Sequence, residues 1–389
     1  MAPEIVWSGV PTAAKAGVLS VLDPMAGSGT TVATARLLGH RALGFDTDPL
    51  AVMIARAWSK NVDGEQLLEN AAMVLSNARG IAGDITQAEA YPDDADEETK
   101  EFIRYWFDPQ VRAQLAALVH SIRMVAQAPA RNLLWCAFSR LIITKEAGVS
   151  LAMDVSHSRP HRSYEKAPRK PFDVFFNAAR YIAGRSPFAS DSAHPRATVR
   201  SGDARALKVA SKSVDWVVTS PPYLNAIDYM RGHRLSLVWM GHKLVALRRV
   251  RSTNVGSNVL ARDELPAPHI RSAMQAMGEL GNHSSRTARM LQRYVGDMDC
   301  VMRELTRVLV PAGHALLVVG DSTVRNVFVS NSGMIAALGQ ACGLELTSST
   351  TRELPANRRY LPPPGRQGAG TALGARMRNE VVLKFRKPA

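Results

Sequence analysis

The chain has 389 residues, 46% of them hydrophobic, so it can bury a large core and is longer than one ordinary domain. Its 48 basic and 34 acidic side chains give a formal net charge of +14 and a pI near 10.0, which suits a polyanionic partner such as nucleic acid. No basic stretch precedes an apolar run at the start, and no segment approaches about 18 uninterrupted apolar residues, so we expect a cytoplasmic protein without a membrane segment.

The cysteines are three in number and far apart in the sequence. An odd, scattered set argues against both a disulfide framework and a zinc knuckle. We therefore expect buried thiols and no metal site at Cys136, Cys300 and Cys342.

The first predicted unit is a strand, a tight turn and a helix. The apolar residues between 18 and 22 are followed by DPMAGSGT at 23–30 and by a helix-prone stretch at 31–38. Glycines in such a turn allow a nucleotide cofactor to approach the backbone closely. A dinucleotide fingerprint would need glycine or alanine where Val32 stands, and a phosphate-binding loop would need Gly-Lys-Ser/Thr where Gly29 and the two threonines stand. Both rival cofactors are therefore disfavoured.

The next predicted strand covers 41–45, and Asp46 follows it directly. An acid at this place in a Rossmann-like fold commonly holds the hydroxyl pair of a cofactor ribose. Asp48, two residues later, is a second candidate for the same role.

The region from about 60 to 196 has the periodicity of helices rather than strands. Apolar residues recur at helical spacing in 108–127, and Pro129 opens a second predicted helix that reaches Ile143. The acidic stretch 93–101 would repel phosphates, so we expect it to face away from nucleic acid or to form a solvated connector. Three aromatic residues beside it, at 105–107, are expected to pack against the rest of the protein.

A third strand is predicted at 214–218, and TSPPY follows it at 219–223. The two prolines cannot donate to a sheet, so they end the strand and stiffen the backbone that carries Ser220 and Tyr223. The amino group of cytosine or adenine is a poor nucleophile, and an enzyme must hold its hydrogens with acceptors. The Ser220 hydroxyl and the Pro221 carbonyl could supply these acceptors, while Tyr223 could stack on a flipped base.

Basic residues cluster in three segments. The first, at 159–170, includes Arg162, the second centres on Arg249, and the third, at 352–378, includes Arg359. A single cluster is often only a solvated surface. Three of them in one chain favour a surface that tracks the phosphates of DNA.

Taken together, these motifs resemble those of the class I amino-methyltransferases of DNA. DPMAGSGT resembles motif I, GFDTDPL at 44–50 motif II, SGDAR at 201–205 motif III and TSPPY the catalytic motif IV. The resemblance implies an α/β, Rossmann-like fold with a mostly parallel seven-stranded sheet, S-adenosyl-L-methionine as cofactor, and a catalytic pocket formed by Ser220, Pro221, Pro222 and Tyr223. It implies cofactor contacts from Asp23, Pro24, Ala26, Gly27, Gly29, Thr30, Asp46, Asp48 and Asp203, the last facing the adenine.

The same resemblance divides the chain into three parts. Residues 1–60 and 197–389 would form the catalytic domain, and 61–196 would be an inserted helical domain between motifs II and III, where the standard orders of the family place no target-recognition domain. MAPEIV at 1–6 resembles the end of motif X, so the chain is expected to begin inside that motif and to bind the cofactor weakly.

In the family that these motifs resemble, a serine directly before the two prolines of motif IV, as at Ser220, favours the N4 of cytosine over the N6 of adenine as the methyl acceptor. Two alternatives stay open. One is an RNA methyltransferase of the guanine N2 type, although only 22 residues precede Asp23 and such enzymes usually carry an RNA-binding domain there. The other is a non-catalytic DNA-binding subunit of a defence complex, against which the intact TSPPY argues. A restriction or defence partner protein is a further expectation.

Overall fold

The computed structural model describes residues 2–157, 160–186, 194–224, 228–256, 267–278, 285–324, 327–354 and 379–389. Its strands are β1 (Ser20–Asp23), β2 (Arg41–Asp46), β3 (Ala152–Met153), β4 (His161–Arg162), β5 (Ala197–Ser201), β6 (Val214–Thr219), β7 (Leu309–Val319), β8 (Ser322–Val324), β9 (Val327–Val329), β10 (Glu345–Glu353) and β11 (Asn379–Arg386). Its helices are α1 (Pro3–Gly9), α2 (Ala13–Ala16), α3 (Thr30–Leu37), α4 (Pro49–Trp58), α5 (Gly64–Ile81), α6 (Glu97–Trp106), α7 (Pro109–Arg123), α8 (Ala128–Ile142), α9 (Pro171–Ala183), α10 (Met230–Leu237), α11 (Leu244–Thr253), α12 (Pro268–Gln275), α13 (Ser285–Val308) and α14 (Asn331–Ala341).

Seven strands form the central sheet, in the order β10-β11-β7-β6-β1-β2-β5. The pairs among β5, β2, β1, β6 and β7 are parallel, whereas β11 runs antiparallel to both β7 and β10. The predicted α/β fold with a mostly parallel seven-stranded sheet is confirmed. Chain order reverses between β1 and β6, and in open α/β sheets ligands bind at the carboxyl ends of the strands beside such a switch point.

The predicted strands and helices of the sheet are present, with shifted ends. The first strand covers Ser20–Asp23 rather than 18–22, because Gly17 takes a positive φ of 75° after α2 and Val18 is left exposed at 58%. The second and third strands each run one residue further than expected, to Asp46 and Thr219. These small shifts place both motif loops at the same edge of the sheet.

Two hydrophobic cores cover the faces of the sheet. On one face α13 and α14 pack through residues such as Met298, Leu305 and Leu338, and on the other α1, α3 and α4 pack through Val6, Val32 and others. Burial of these large apolar side chains supplies the main favourable term in folding.

The three cysteines differ in burial. Cys136 is buried as predicted, and Cys342 is only half-buried. Cys300 lies on α13 but is exposed, because the core-facing side of that helix is occupied by its neighbours Met298, Val301 and Met302. The prediction of a buried thiol is therefore wrong for Cys300.

The segment between β2 and β5 is mainly helical and forms a third core. The two predicted helices are α7 and α8, and a short hairpin of β3 and β4 follows them. This core also includes Leu50 of α4 and Trp239 after α10, and Trp239 meets Phe107 edge-on at 5.4 Å between ring centroids. The inserted segment therefore shares its core with α4, which follows motif II, and with Trp239, which follows α10. The proposed domain boundaries stay a prediction.

The aromatic run at 105–107 divides between core and surface. Trp106 and Phe107 are buried, whereas Tyr105 is exposed at 51% and lies under the Arg162 guanidinium, 5.1 Å from its ring centroid. Helical rotation explains the difference, since Ile103 and Trp106 face the core from α6 while Tyr105 points outward.

Candidate active site

The loop after β1 is shaped by two glycines with positive φ angles, 51° at Gly27 and 83° at Gly29. Gly29 begins α3, and a Cβ atom at this position would lie 2.7 Å from the Cα of Ala55. The Ala26 amide donates to the Phe45 carbonyl at 2.8 Å and fastens the loop to β2. Glycine is therefore required at position 29 by conformation and by space. Of the other predicted contacts in this loop, Pro24 and Ala26 are buried, and Thr30 is the first residue of α3.

The space beside Gly27 is open. A Cβ atom built at Gly27 meets nothing within 4 Å, although the glycine amide donates to Asp46 Oδ2 at 2.8 Å. Asp46 Oδ1 accepts from the Asp48 amide at 2.9 Å. Each carboxylate oxygen has a second lone pair, which leaves an acceptor for a ribose hydroxyl. The open space and these oxygens are compatible with the ribose of S-adenosylmethionine.

The Asp46 carboxyl titrates well above its ordinary range. Burial raises the pKa of Asp46 to about 6, against hydrogen bonds from two backbone amides that lower it. Between about pH 4 and about pH 6 this carboxyl ionises in the unfolded chain but stays largely protonated in the folded protein, so the free energy of unfolding falls as the pH rises through this range. We expect the melting temperature of the wild type, relative to that of Asp46→Asn, to fall over this range and to stay level above it. Thermal scans of both proteins from about pH 4.5 to about pH 7.5 test the prediction, and a pH-independent difference would contradict it.

Asp48 has structural partners for both of its oxygens. Oδ1 caps α4 by accepting from the Leu50 amide at 2.9 Å, and Oδ2 lies 2.6 Å from Nδ1 of His233 in α10. The contact links motif II to the helix that follows motif IV. Sequence reasoning missed His233, because a lone histidine 185 positions away carries no local signal. A cofactor contact from Asp48 stays a prediction.

Asp203 is held by an arginine that the sequence reasoning did not use. Arg205 donates to both Asp203 oxygens, at 3.0 and 2.7 Å, and also to Asp297 in α13 at 2.7 Å. Its Nη2 also reaches the carbonyl of Thr253. The motif III loop is thus tied to α11 and α13, and the expected adenine contact of Asp203 stays a prediction.

A hydrogen bond joins the two principal motifs. The Thr219 hydroxyl at the end of β6 donates to Asp23 Oδ1 at the end of β1, at 2.7 Å. Both side chains are buried, and burial raises the pKa of Asp23 above its ordinary value. A direct bond between residues 196 positions apart fixes the relative position of the two loops. The candidate cofactor site and the candidate methyl-acceptor site therefore adjoin.

The TSPPY loop is braced on both sides. The Ser220 hydroxyl donates to the Val318 carbonyl at 3.1 Å and lies 3.3 Å from the Tyr223 hydroxyl. Tyr223 donates to Glu380 Oε1 at 3.1 Å, and Tyr294 donates to the Pro222 carbonyl at 2.9 Å. Pro221 in the same loop is buried. Neither Glu380 nor Tyr294 was foreseen as part of the site, because neither residue belongs to one of the four motifs.

The predicted basic clusters have different surroundings. Within the first, Arg162 is exposed together with Lys166 and Arg169, whereas Lys170 pairs with Asp108 at 3.6 Å. In the second, Arg249 is exposed and no ion pair is recorded for it among the described residues, but Arg248 pairs with Glu98, and Arg251 with Asp228 at 2.6 Å. Glu98 of the acidic stretch therefore contacts this cluster, and the orientation of the stretch relative to nucleic acid stays a prediction. Arg359 and the rest of the third cluster beyond 354 lie outside the described residues.

No helix among the described residues is long and apolar enough to cross a lipid bilayer. Within the same ranges, no group of three or more His, Cys, Asp or Glu side chains is placed to hold a metal ion.

The chain is similar to known methyltransferases. It is 22% identical over 405 aligned positions to the Type II methyltransferase M.MvaI of Kocuria varians, covering 96% of this chain and 85% of that protein. No protein-family model matches it. Among solved structures, a SAM-dependent methyltransferase from Methanosarcina mazei matches with 8% identity and a TM-score of 0.33, over 95% of this chain and 93% of that one. A putative DNA modification methylase from Thermus thermophilus, complexed with S-adenosyl-L-methionine, matches with 19% identity and a TM-score of 0.26, over 48% of this chain and 52% of that one.

The resemblance inferred from the four motifs is confirmed by this similarity, which extends over nearly the whole chain. The similarity supports S-adenosylmethionine as the cofactor, and a Cβ atom at Gly27 would meet open space beside Asp46. The chain is a distant homologue of a Type II methyltransferase and has the α/β fold of the class I enzymes.

Proposed function

We propose that this protein transfers a methyl group from S-adenosylmethionine to the exocyclic amino group of a base flipped out of DNA, with the N4 of cytosine favoured over the N6 of adenine. The observation that carries the proposal is the hydrogen bond between Thr219 and Asp23, which holds the TSPPY loop against the cofactor loop. Similarity to a Type II methyltransferase supports DNA as the substrate, and serine at position 220 supports cytosine.

The chemistry requires acceptors rather than a strong base. The cofactor supplies an electrophilic methyl group, whereas the lone pair of the amino nitrogen is delocalised into the base. The Ser220 hydroxyl directs its proton to Val318, so its oxygen lone pairs are free to accept a hydrogen of the amino group. The Pro221 carbonyl is the second acceptor in this proposal. Held by two acceptors, the amino group is aligned with the methyl group, and alignment of this kind lowers the barrier.

The target base would lie against the ring of Tyr223. That ring is partly buried, and its hydroxyl is fixed by Glu380, so it forms a wall of fixed orientation. Tyr294 holds the Pro222 carbonyl and thereby stiffens the neighbouring backbone. A rigid aromatic wall favours stacking of a base that has left the duplex.

The exposed basic residues would hold the phosphates of DNA near the pocket. The first basic segment follows the turn at 155–157, and this turn touches α10 closely, since a Cβ atom at Gly232 would lie 2.5 Å from the Val155 carbonyl oxygen. Helix α10 in turn follows the TSPPY loop. The turn that precedes the segment with Arg162, Lys166 and Arg169 thus lies beside the helix that follows the candidate active site.

We expect the variants Lys166→Gln/Arg169→Gln and Arg249→Gln to weaken binding to all DNA sequences alike. Each lost phosphate contact should reduce the slope of log affinity against log salt by about 0.9. Arg41→Gln is the matched control, because Arg41 is exposed at the amino end of β2, the opposite edge of the sheet from Asp46. Fluorescence anisotropy over a salt series gives the slope for each variant. Slopes equal to that of Arg41→Gln would show that these residues do not contact phosphates.

Digestion of methylated DNA to nucleosides tests the function itself. The purified protein is incubated with labelled cofactor and unmodified DNA, and mass spectrometry identifies the product. N4-methylcytosine is the expected result, and N6-methyladenine would show that the methylated base is adenine rather than cytosine. Methylated guanine in transfer RNA, without any DNA product, would favour the RNA alternative. DNA binding without transfer to either nucleic acid would favour a non-catalytic subunit, and the existence of a restriction or defence partner stays a prediction.

A further inference from the structure

A buried acid from the last strand reaches the TSPPY loop. The Glu380 side chain is 11% exposed, and its Oε1 accepts a hydrogen bond from the Tyr223 hydroxyl, with 3.1 Å between the two oxygens. Its Oε2 forms an ion pair with Arg352 Nε at 3.2 Å. A buried carboxylate is costly unless its oxygens have partners, and here Oε1 accepts a hydrogen bond while Oε2 has the ion pair with Arg352 but no hydrogen bond among the described residues. Nothing in the motif pattern accounts for an acid at this place.

Three hydroxyl and carboxylate groups form a chain that ends at Ser220. Tyr223 has one proton and Ser220 has one proton, so the direction of each hydrogen bond decides which oxygen keeps free lone pairs. Because an ionised carboxylate only accepts, Glu380 accepts the hydrogen bond that the Tyr223 hydroxyl donates. Burial, followed by the charge of Glu380, raises the pKa of the Tyr223 phenol, so the phenol keeps its proton at neutral pH. Ser220 then donates to Val318 or to Tyr223 and receives no proton from either.

We propose that Glu380 is a positioning residue for methyl transfer: by accepting the hydrogen bond of the Tyr223 hydroxyl it sets the direction of the hydrogen-bond chain, and it thereby leaves the Ser220 oxygen free to accept a hydrogen bond from the target amino group. The inference rests on the proposed function and adds to it a residue that is 157 positions away from Tyr223. Glu380 itself acts through Tyr223 and Ser220.

The Glu380→Gln variant reverses the chain rather than only removing a charge. Arg352 and Glu380 are directly opposite in the antiparallel pairing of β10 and β11, so the guanidinium stays beside the new amide. A guanidinium only donates, and it will attract the oxygen of that introduced amide. The amide NH2 group then faces the phenol oxygen, and the phenol proton turns towards Ser220. One acceptor site of the Ser220 oxygen is consumed.

We expect Glu380→Gln to lower kcat for DNA methylation about tenfold with little change in KM for either substrate, as for one lost transition-state hydrogen bond. In a Tyr223→Phe background, which keeps the ring but has no phenol proton, the same substitution should have no further effect. Glu345→Gln is the matched control, because Glu345 stands opposite Arg386 at the other end of the same strand pair. Its rates should equal those of the wild type.

A second readout does not depend on activity. The protein has eight tyrosines, and incorporation of fluorotyrosine gives each a fluorine resonance. Tyr223→Phe identifies the resonance of Tyr223 by its loss. We expect Glu380→Gln to shift that resonance and to leave the resonance of Tyr294, which donates to a carbonyl, in place.

The outcomes separate the two levels of the proposal. A wild type that methylates no DNA overturns the proposed function, and the fluorine spectra then still show whether Glu380 governs the Tyr223 hydroxyl. A loss of about tenfold in Glu380→Gln that disappears in the Tyr223→Phe background supports the inference. An equal loss in both backgrounds overturns it, because the acid would then act by another route. An unchanged Tyr223 resonance in Glu380→Gln also overturns it.

Discussion

Replacing Ser220 with alanine is expected to lower the rate of methyl transfer by roughly ten- to a thousandfold while S-adenosylmethionine still binds. In the proposed mechanism the Ser220 oxygen is an acceptor in the transition state, and loss of one positioned polar group costs on the order of several kcal/mol there. Tyr223→Ala should have a similar effect, because it removes the aromatic wall of the pocket. Single-turnover assays with labelled cofactor measure the rate, and calorimetry measures the cofactor affinity.

The control for this experiment is Ser349→Ala. Ser349 lies on β10 and is exposed, so the substitution removes the same hydroxyl from the surface. If Ser220→Ala and Tyr223→Ala both turn over at the wild-type rate, the methyl-acceptor pocket does not lie at the TSPPY loop.

Replacing Asp46 with alanine should weaken the binding of S-adenosylmethionine about tenfold to a hundredfold. The variant loses the bonds that hold the Gly27 and Asp48 amides and, under the proposal, a charge-assisted hydrogen bond to the ribose worth about 1.5–3 kcal/mol. Isothermal titration calorimetry gives the affinity. Asp84→Ala is the control, because Asp84 is an exposed acid in the turn after α5. Equal affinities for wild type and Asp46→Ala would place the ribose elsewhere.

Local sequence patterns were sufficient to predict the two loops of the candidate site. Gly27 and Gly29 predict a tight turn between strand and helix because few other residues tolerate positive φ, and the structure has that turn. The proline pair after β6 predicts the end of a strand, and β6 ends at Thr219. Both kinds of signal act over a few residues, so they survive without knowledge of the fold. The strand ends were less certain, as the shift from 18–22 to Ser20–Asp23 illustrates.

The charge clusters show where such patterns fail. Arg248 and Arg251 belong to a run that predicts a phosphate-binding surface, but Glu98 and Asp228 partly neutralise it. Glu98 is 150 positions from Arg248, and no periodicity in the sequence brings them together. Similarly, the predicted buried state of Cys300 depends on the rotation of α13, which is decided by the three neighbours that face the core.

The sequence by itself determined that two loops, at 23–30 and 219–223, follow strands of an α/β sheet, because glycine and proline act on the backbone of their own segment. Only the tertiary structure decided which side chains complete the site. Asp23 meets Thr219, Asp48 meets His233, and Tyr223 meets Glu380, across 185 or more positions in the first two pairs and 157 in the third. The contacts of Thr219 and Tyr223 arise from the order of strands in the sheet, in which β6 lies beside β1 and β11 lies between β7 and β10, whereas the contact of His233 arises from the packing of α10 against α4. Both are set by long-range packing rather than by any local preference.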